Sequence, residues 1–487
     1  IRRPIRVVGL NIALALTIGT TQAFAGNINS VADLLAVSGD ADYVLMVDLD
    51  LSNDDASPEV EGVQTADVET SGDPSYIPNG FTGTFDGGGF TISGLTKPLF
   101  DTVNGDGVSE ISNLTLIADE TTGVNGRGIL ANETFIGTEI IDVHGFGNVD
   151  GGASENVGGL VGTLGTGEIS ESSFTGDVTG TNTVGGLVGL AFGDITDSTF
   201  SGSVTGQRYV GGLVGGTGAP IISNSSASGS VTGIAGGEGN IGGLVGGGSA
   251  TITDSHADVT VTGEVGQAKI GGLLGSGDWS VTINNSYSTG TVTGDEKVGG
   301  LVGELAGGYI EESYSTGEVF GRTNGSIGGL VGYANSGSGW GTVRGITNNG
   351  GTISALIESS YATGDVTQIG SGNDGGGVGG LVGRLFSGTI LNSYSTGDVL
   401  GETTVGGLVG KVEQYGENLG LTLENSEQPY FNYYGLIKNS YAAGSINNGY
   451  NGANRLGGLV GSFNGGKIVN SYATGGGIGI DASSGCD

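Results

Sequence analysis

A single cysteine, Cys486, occurs in 487 residues. No internal disulfide is possible, so an exported chain of this kind must be held together by packing and hydrogen bonds. Histidine is almost as scarce: only His144 and His256 are present. Neither has a glutamate beside it, which excludes the H-E-x-x-H arrangement of a zinc peptidase. A cysteine nucleophile would need a partner histidine, and Cys486 stands one residue from the end. Basic residues number 15 against 50 acidic ones, a net charge of -35. That balance repels nucleic acid and anionic lipid. It favours solubility and cations, calcium among them, although no cofactor is required.

Long apolar runs are missing except at the start. Arg2, Arg3 and Arg6 precede "VVGLNIALALTIGT", and "TQAFA" follows with Ala23 and Ala25 at small-residue positions. This pattern predicts a secretory signal at 1–25, cut after Ala25. The run is short for a membrane span. Without the three arginines, 12 basic and 50 acidic residues remain, a balance of -38. The absence of an opening Met and the stop at "GGGIGIDASSGCD" lead us to expect further sequence on either side.

Glycine, by contrast, supplies 106 residues. Such a content fits disorder in a polar chain, but Val, Leu and Ile recur here at fixed positions, which favours ordered repetition. The phrase "GGLVG" or a close variant places Leu160, Leu187, Leu213, Leu244, Leu273, Leu301, Leu330, Leu381, Leu408 and Leu459 in equivalent positions. Seven intervals are 26 to 31 residues and two are 51. A second phrase, I-x-x-S-x-x-x-G-x-V, follows each, as in "ISESSFTGDV" at 169–178.

Short, glycine-punctuated segments rich in Val, Ile, Thr and Tyr read as strands. Their repetition predicts an all-β, right-handed parallel β-helix of about twelve coils, the hand following from the crossover rule. Equivalent strands would stack at about 4.8 Å. Period 2 places Tyr287, Tyr314, Tyr361, Tyr394, Tyr441 and Tyr472 outside, with Phe174 and Phe200 inside. His144 and His256 share the tyrosine column. The predicted organisation is an N-terminal cap and opening coil at 26–96, with a short amphipathic capping helix in "INSVADLLAVSG" at 28–39. A solenoid over 97–475 and a tail at 476–487 complete it.

The repeating "VGGLVG…I..SY.TG.V.G" unit resembles the GLUG motif of large bacterial surface and secreted proteins. The prelude "DYVLMVDLDLS…FTGTFDGGGFTISGL" resembles the lead-in found before such arrays. The likeness runs from about residue 27 to 475. It implies an adhesin-like or structural role. GLUG repeats also occur in some secreted IgA-cleaving metallopeptidases, where they are not the catalytic part.

No catalytic constellation emerges. Acidic residues such as Glu311, Glu312, Asp365 and Asp398 are spread over turns, and the G-H-G and R-I-K signatures sought for a polysaccharide lyase or hydrolase are absent. "DLDLSNDD" at 48–55 alternates Asp48, Asp50 and Asp54 but lacks the glycine and closing Glu of a calcium loop. "GGIGID" at 476–481 matches one unit of a calcium repeat that works only in tandem. The functional lead is the pair of long intervals. They hold insertions at 333–356 and 411–436, expected to leave one corner two coils apart. The first carries Trp340; the second carries Tyr415, Tyr430, Phe431, Tyr433 and Tyr434. Exposed aromatics of this kind suit a glycan or a surface protein, or they cover the solenoid wall. The expected function is an extracellular structural and adhesive solenoid, exported to the cell surface or secreted. A polysaccharide-active enzyme and a self-assembling sheath, filament or matrix component are the alternatives.

Overall fold

The computed structural model describes residues 26–475 except 53–73, 79, 105–108, 237–238, 267, 324, 344–345, 371–374, 403, 414–433 and 449–454. The expected signal at 1–25 and the tail at 476–487 lie outside the described residues.

The coil containing Leu301 shows why this sequence winds. Lys297–Gly299 forms a short strand, and the chain turns at Gly300 and Leu301 into Val302–Ala306. Tyr309–Glu311, Tyr314–Ser315 and Val319–Gly321 follow as three more strands. Each pairs in parallel with its counterpart on the coils below and above. The xVG triplets of successive coils build one ten-stranded sheet, and 44 other strands build the rest of the wall. The described residues form an all-β solenoid of about twelve coils, with one helix among them.

The leucine column records the register. The Leu160 N–H donates to the Leu187 carbonyl at 2.9 Å, and the same bond links every later leucine through to Leu459 at 2.8–2.9 Å. Both 51-residue intervals keep it: Leu330 to Leu381 at 2.8 Å and Leu408 to Leu459 at 2.9 Å. Leu, Val and Ile of the two phrases face inward and form one continuous core. Each fully buried aliphatic side chain stabilises by about 1.5–3 kcal/mol.

One corner turns without glycine. Asn113, Asp142, Glu171, Asp197, Asn224, Asp254, Asn285, Glu312, Ser359, Asn392, Asn439 and Asn470 all adopt φ between 45° and 55°. Asn and Asp tolerate this left-handed region best, which accounts for most of the column. The sequence suggests glycine for positive-φ turns; at this corner the repeat uses short polar residues instead. From Glu171 onward the next residue is a serine, buried in every coil through Ser440. Its Oγ accepts the N–H of the serine one coil earlier, as in Ser286 N to Ser313 Oγ at 3.1 Å. It donates to the carbonyl two residues before it, as in Ser313 Oγ to Glu311 O at 2.7 Å. This ladder runs from Ser172 to Ser471, and each bond contributes about 1 kcal/mol net.

The N-terminal end is covered by the helix Val31–Leu35, shorter than the predicted 28–39. Ser30 caps it by accepting the Asp33 N–H at 3.2 Å, and Asp33 returns the contact by accepting the Asn29 N–H at 3.0 Å, a reciprocal cap. Leu34 is fully buried under the first coil. Among the described residues no helix is long and apolar enough to cross a membrane.

Candidate functional site

The two insertions spring from one corner. The strands that enter them pair through Val331, Val382 and Val409. Those that leave pair through Ile357, Ile390 and Ile437. The coil of Leu381 therefore separates them, as the spacing predicts. The first insertion is an antiparallel hairpin, with pairs from Ser336↔Ser354 to Val343↔Ile346. It continues two wall strands, Val331–Val343 and Ile346–Glu358, past the corner. Trp340 sits in its first strand opposite Asn349. Tyr434 opens the strand after the second insertion, opposite Gly388 at a shift in register. Tyr415, Tyr430, Phe431 and Tyr433 lie outside the described residues.

Below these insertions is a second apolar cluster, separate from the main core. Tyr309, Leu356, Leu391 and Leu436 are 1–5% exposed, with Trp279 and Val469 packed against them. The hairpin root takes part: a Cβ on Gly337 would lie 2.8 Å from the Trp279 Cβ and 2.1 Å from the Ala306 carbonyl. The lower part of this insertion thus lies flat on the wall. Trp279 is not marked by the sequence because it stands two coils before the insertion.

Cations gather beside the same corner. Glu304, 7% exposed, receives both Lys269 and Lys297 at 2.9 Å. Burial works to raise its carboxyl, and the two ammonium groups more than offset this, holding it below the usual carboxylate range. Arg384 and Lys411 converge on Glu413 in the same manner. Its carboxyl is likewise lowered by Lys411 and Arg384 against burial. Between the two groups stands Tyr333, with the Lys297 ammonium 5.0 Å and the Arg384 guanidinium 5.3 Å from its ring centre. Four of the 12 basic residues after residue 25 lie on this strip. Each carboxylate takes two of them, so the strip keeps a positive excess on an acidic protein.

The tyrosine column faces outward and Phe174 and Phe200 face inward, as period 2 predicts. His256 and Tyr287 stack at 4.8 Å and 9°. The stack continues through Tyr314, Tyr361, Tyr394, Tyr441 and Tyr472 at 4.8–5.5 Å, with planes within 10° of parallel. Burial raises the phenols of Tyr314, Tyr361 and Tyr394 above the ordinary value of 10.0, and neighbouring tyrosines add to it. Both histidines belong to this column: the strand of His144 pairs with that of Ser173, and its ring contacts Ser173 Oγ at 2.8 Å and Asp142 Oδ1 at 3.0 Å.

The acidic prelude is tied up locally. Asp48 Oδ1 accepts the Thr91 N–H at 2.8 Å, and Asp50 Oδ1 accepts the Ser52 hydroxyl at 2.6 Å. Asp54 and the "GGIGID" segment lie outside the described residues. No group of three or more His, Cys, Asp or Glu able to hold a metal occurs among the described residues.

The GLUG motif family matches residues 153–179, 180–205, 206–232 and 374–400. Each matched segment is one turn of the solenoid, from its xVG triplet to the closing valine, so the motif is the coil itself. Halomucin from Haloquadratum walsbyi is 34% identical over 226 residues, which is 45% of this chain and 2% of Halomucin. Among solved structures, an IgA1 Protease is similar at 19% identity with a TM-score of 0.30, over 75% of this chain and 20% of that one. The chain thus spans a small fraction of either protein.

Proposed function

We propose that this GLUG-motif solenoid is a rigid structural segment of an exported, surface-associated or secreted protein, and that it holds a glycan or protein partner at the corner of its two insertions. The observation that carries this reading is the unbroken register. The leucine, serine and tyrosine columns pass both insertions without a slip, so the insertions are additions to a finished rod. Twelve coils at about 4.8 Å give a rod of roughly 60 Å. Such a body sets distance and orientation, and its repeated wall offers the same surface at every level. A unique site needs a feature that the other coils lack. Trp340 on the hairpin, Tyr415, Tyr430, Phe431, Tyr433 and Tyr434 in and after the second insertion, and the cationic strip at their mouths are such features. The 34% identity over 226 residues with Halomucin, of which they are 2%, supports a place in a large surface protein. No catalytic step is assigned to these coils.

The test is binding of the purified chain to arrays of neutral and acidic glycans and to host cells. Replacing Trp340, Phe431 and Tyr434 together by Ala is expected to abolish binding and leave thermal stability nearly unchanged. Loss of stability with binding intact would show that these aromatics only cover the wall. Turnover of an acidic polysaccharide that disappears with a carboxylate substitution would replace this reading with an enzymatic one.

A further inference from the structure

We infer that the tyrosine ladder is a binding site for a flat, elongated aromatic cation lying along the solenoid axis across several coils. The inference stands on the ladder alone and is independent of the insertions. Rings stacked at 4.8–5.5 Å with nearly parallel planes spend their faces on one another. What they turn outward is a row of ring edges and hydroxyls. A sugar that stacks face-on therefore finds no open face inside the ladder. A row of ring edges offers apolar contact to a flat aromatic laid against it, and dispersion adds up from ring to ring. A flat ligand laid along the row meets such an edge at every coil, from Tyr287 to Tyr472 over about 25 Å. A compact ring meets only one or two, so the site selects for length.

The neighbouring columns select for charge. Two residues after Tyr314, Tyr361 and Tyr394 come the exposed threonines Thr316, Thr363 and Thr396, short enough to leave the row of edges accessible. Four residues after come Glu318, Asp365 and Asp398, all exposed. These carboxylates are held in line: Asp365 Oδ1 accepts the Asp398 N–H at 2.8 Å, and Asp398 Oδ1 accepts the Ser445 N–H at 2.7 Å. On the other side of the ladder Glu312 is exposed at the left-handed corner. Carboxylates flank the aromatic row in a chain of net charge -35, which favours a cation over a neutral or anionic rod.

Thioflavin T, a flat elongated cation, is the probe. Titrated into the full chain, it is expected to give a saturable fluorescence rise. With the protein aligned in a stretched polymer film, the dye's long-axis transition should show the dichroism of a dye parallel to the rod. The double substitution Tyr361→Ser and Tyr394→Ser removes two central edges. Ser173, Thr199 and Ser226 already occupy this column in coils that stack in the same register, so the variant keeps the fold. Its affinity should fall about tenfold, from two aromatic contacts at 0.5–1.5 kcal/mol each. Asp365→Asn with Asp398→Asn should weaken binding about threefold at low salt and flatten its salt dependence. No saturable binding, an unchanged affinity in the folded tyrosine variant, or a dye lying across the rod would each overturn the inference.

Discussion

Tyr314 and Tyr361 stack with ring centres 4.9 Å apart and planes 3° from parallel, although the whole antiparallel hairpin lies between them in the chain. The stack is as tight here as between Tyr361 and Tyr394, at 4.9 Å and 4°, where no insertion intervenes. The position of each ring is thus set by the coil beneath it.

Substitution of a central rung tests that dependence. Tyr361→Ala removes two stacked pairs and should lower the stability of the surrounding coils by about 1–3 kcal/mol, at 0.5–1.5 kcal/mol per pair. Hydrogen exchange should show the loss concentrated at Ser315, Ala362 and Ser395, because coils of a solenoid couple chiefly to their neighbours. A uniform loss along the rod would contradict this.

Two glycines separate close approach from backbone freedom. A Cβ on Gly300 would lie 2.0 Å from the Gly329 carbonyl and 2.3 Å from Ser315 Oγ. Gly300→Ala should therefore force the coils apart and cost about 3 kcal/mol or more. Gly152 has φ 53° and nothing within 4 Å of an added Cβ. Gly152→Ala should cost only about 1 kcal/mol, the penalty of a left-handed alanine. Denaturant midpoints of the two variants check the order.

The ladder also sets an alkaline limit. Folded Tyr314, Tyr361 and Tyr394 ionise above the value of 10.0 that an unfolded tyrosine shows. The unfolded chain then releases these protons first, so their contribution is intact below about pH 10 and is lost as pH rises beyond it. Absorbance at the phenolate band should show a late, broadened titration that collapses onto a normal one on unfolding.

Glu304 sets the opposite limit. Its folded carboxyl titrates below the ordinary value, so its contribution is present above about pH 4.5 and fades as pH falls through the folded value. Glu304→Gln leaves Lys269 and Lys297 facing each other on adjacent coils. A loss of about 2–3 kcal/mol at neutral pH is expected, below the 3–5 kcal/mol of a fully buried pair because both lysines are partly exposed. The variant should also lose less stability than the parent on acidification, which pH-dependent melting measures.

The architecture was legible because ten equivalent leucines, seven of whose nine intervals are 26 to 31 residues, leave few folds open, and period 2 sorted Phe174 inward from Tyr314 outward. Twelve positive-φ corner residues went unread because Asn, Asp, Glu and Ser look like ordinary surface residues until the backbone is seen. The second apolar cluster was hidden for another reason. Trp279, Tyr309, Leu356 and Leu391 come from separate coils and meet only through the winding, so no local pattern marks them. The insertion corner was readable from interval lengths alone. What the aromatics of that corner touch depends on loop conformation, which no repeat constrains.

The leucine bonds have a mechanical meaning. Each runs from one coil to the next along the rod, and at every level it lies beside the serine bond and the strand ladders. A pull along the axis loads all of them together, and no single contact must fail first. The two insertions hang outside this line of force, since the Leu330–Leu381 and Leu408–Leu459 bonds close at 2.8 and 2.9 Å behind them. Tension carried along the shaft would therefore pass behind the insertions and bypass them.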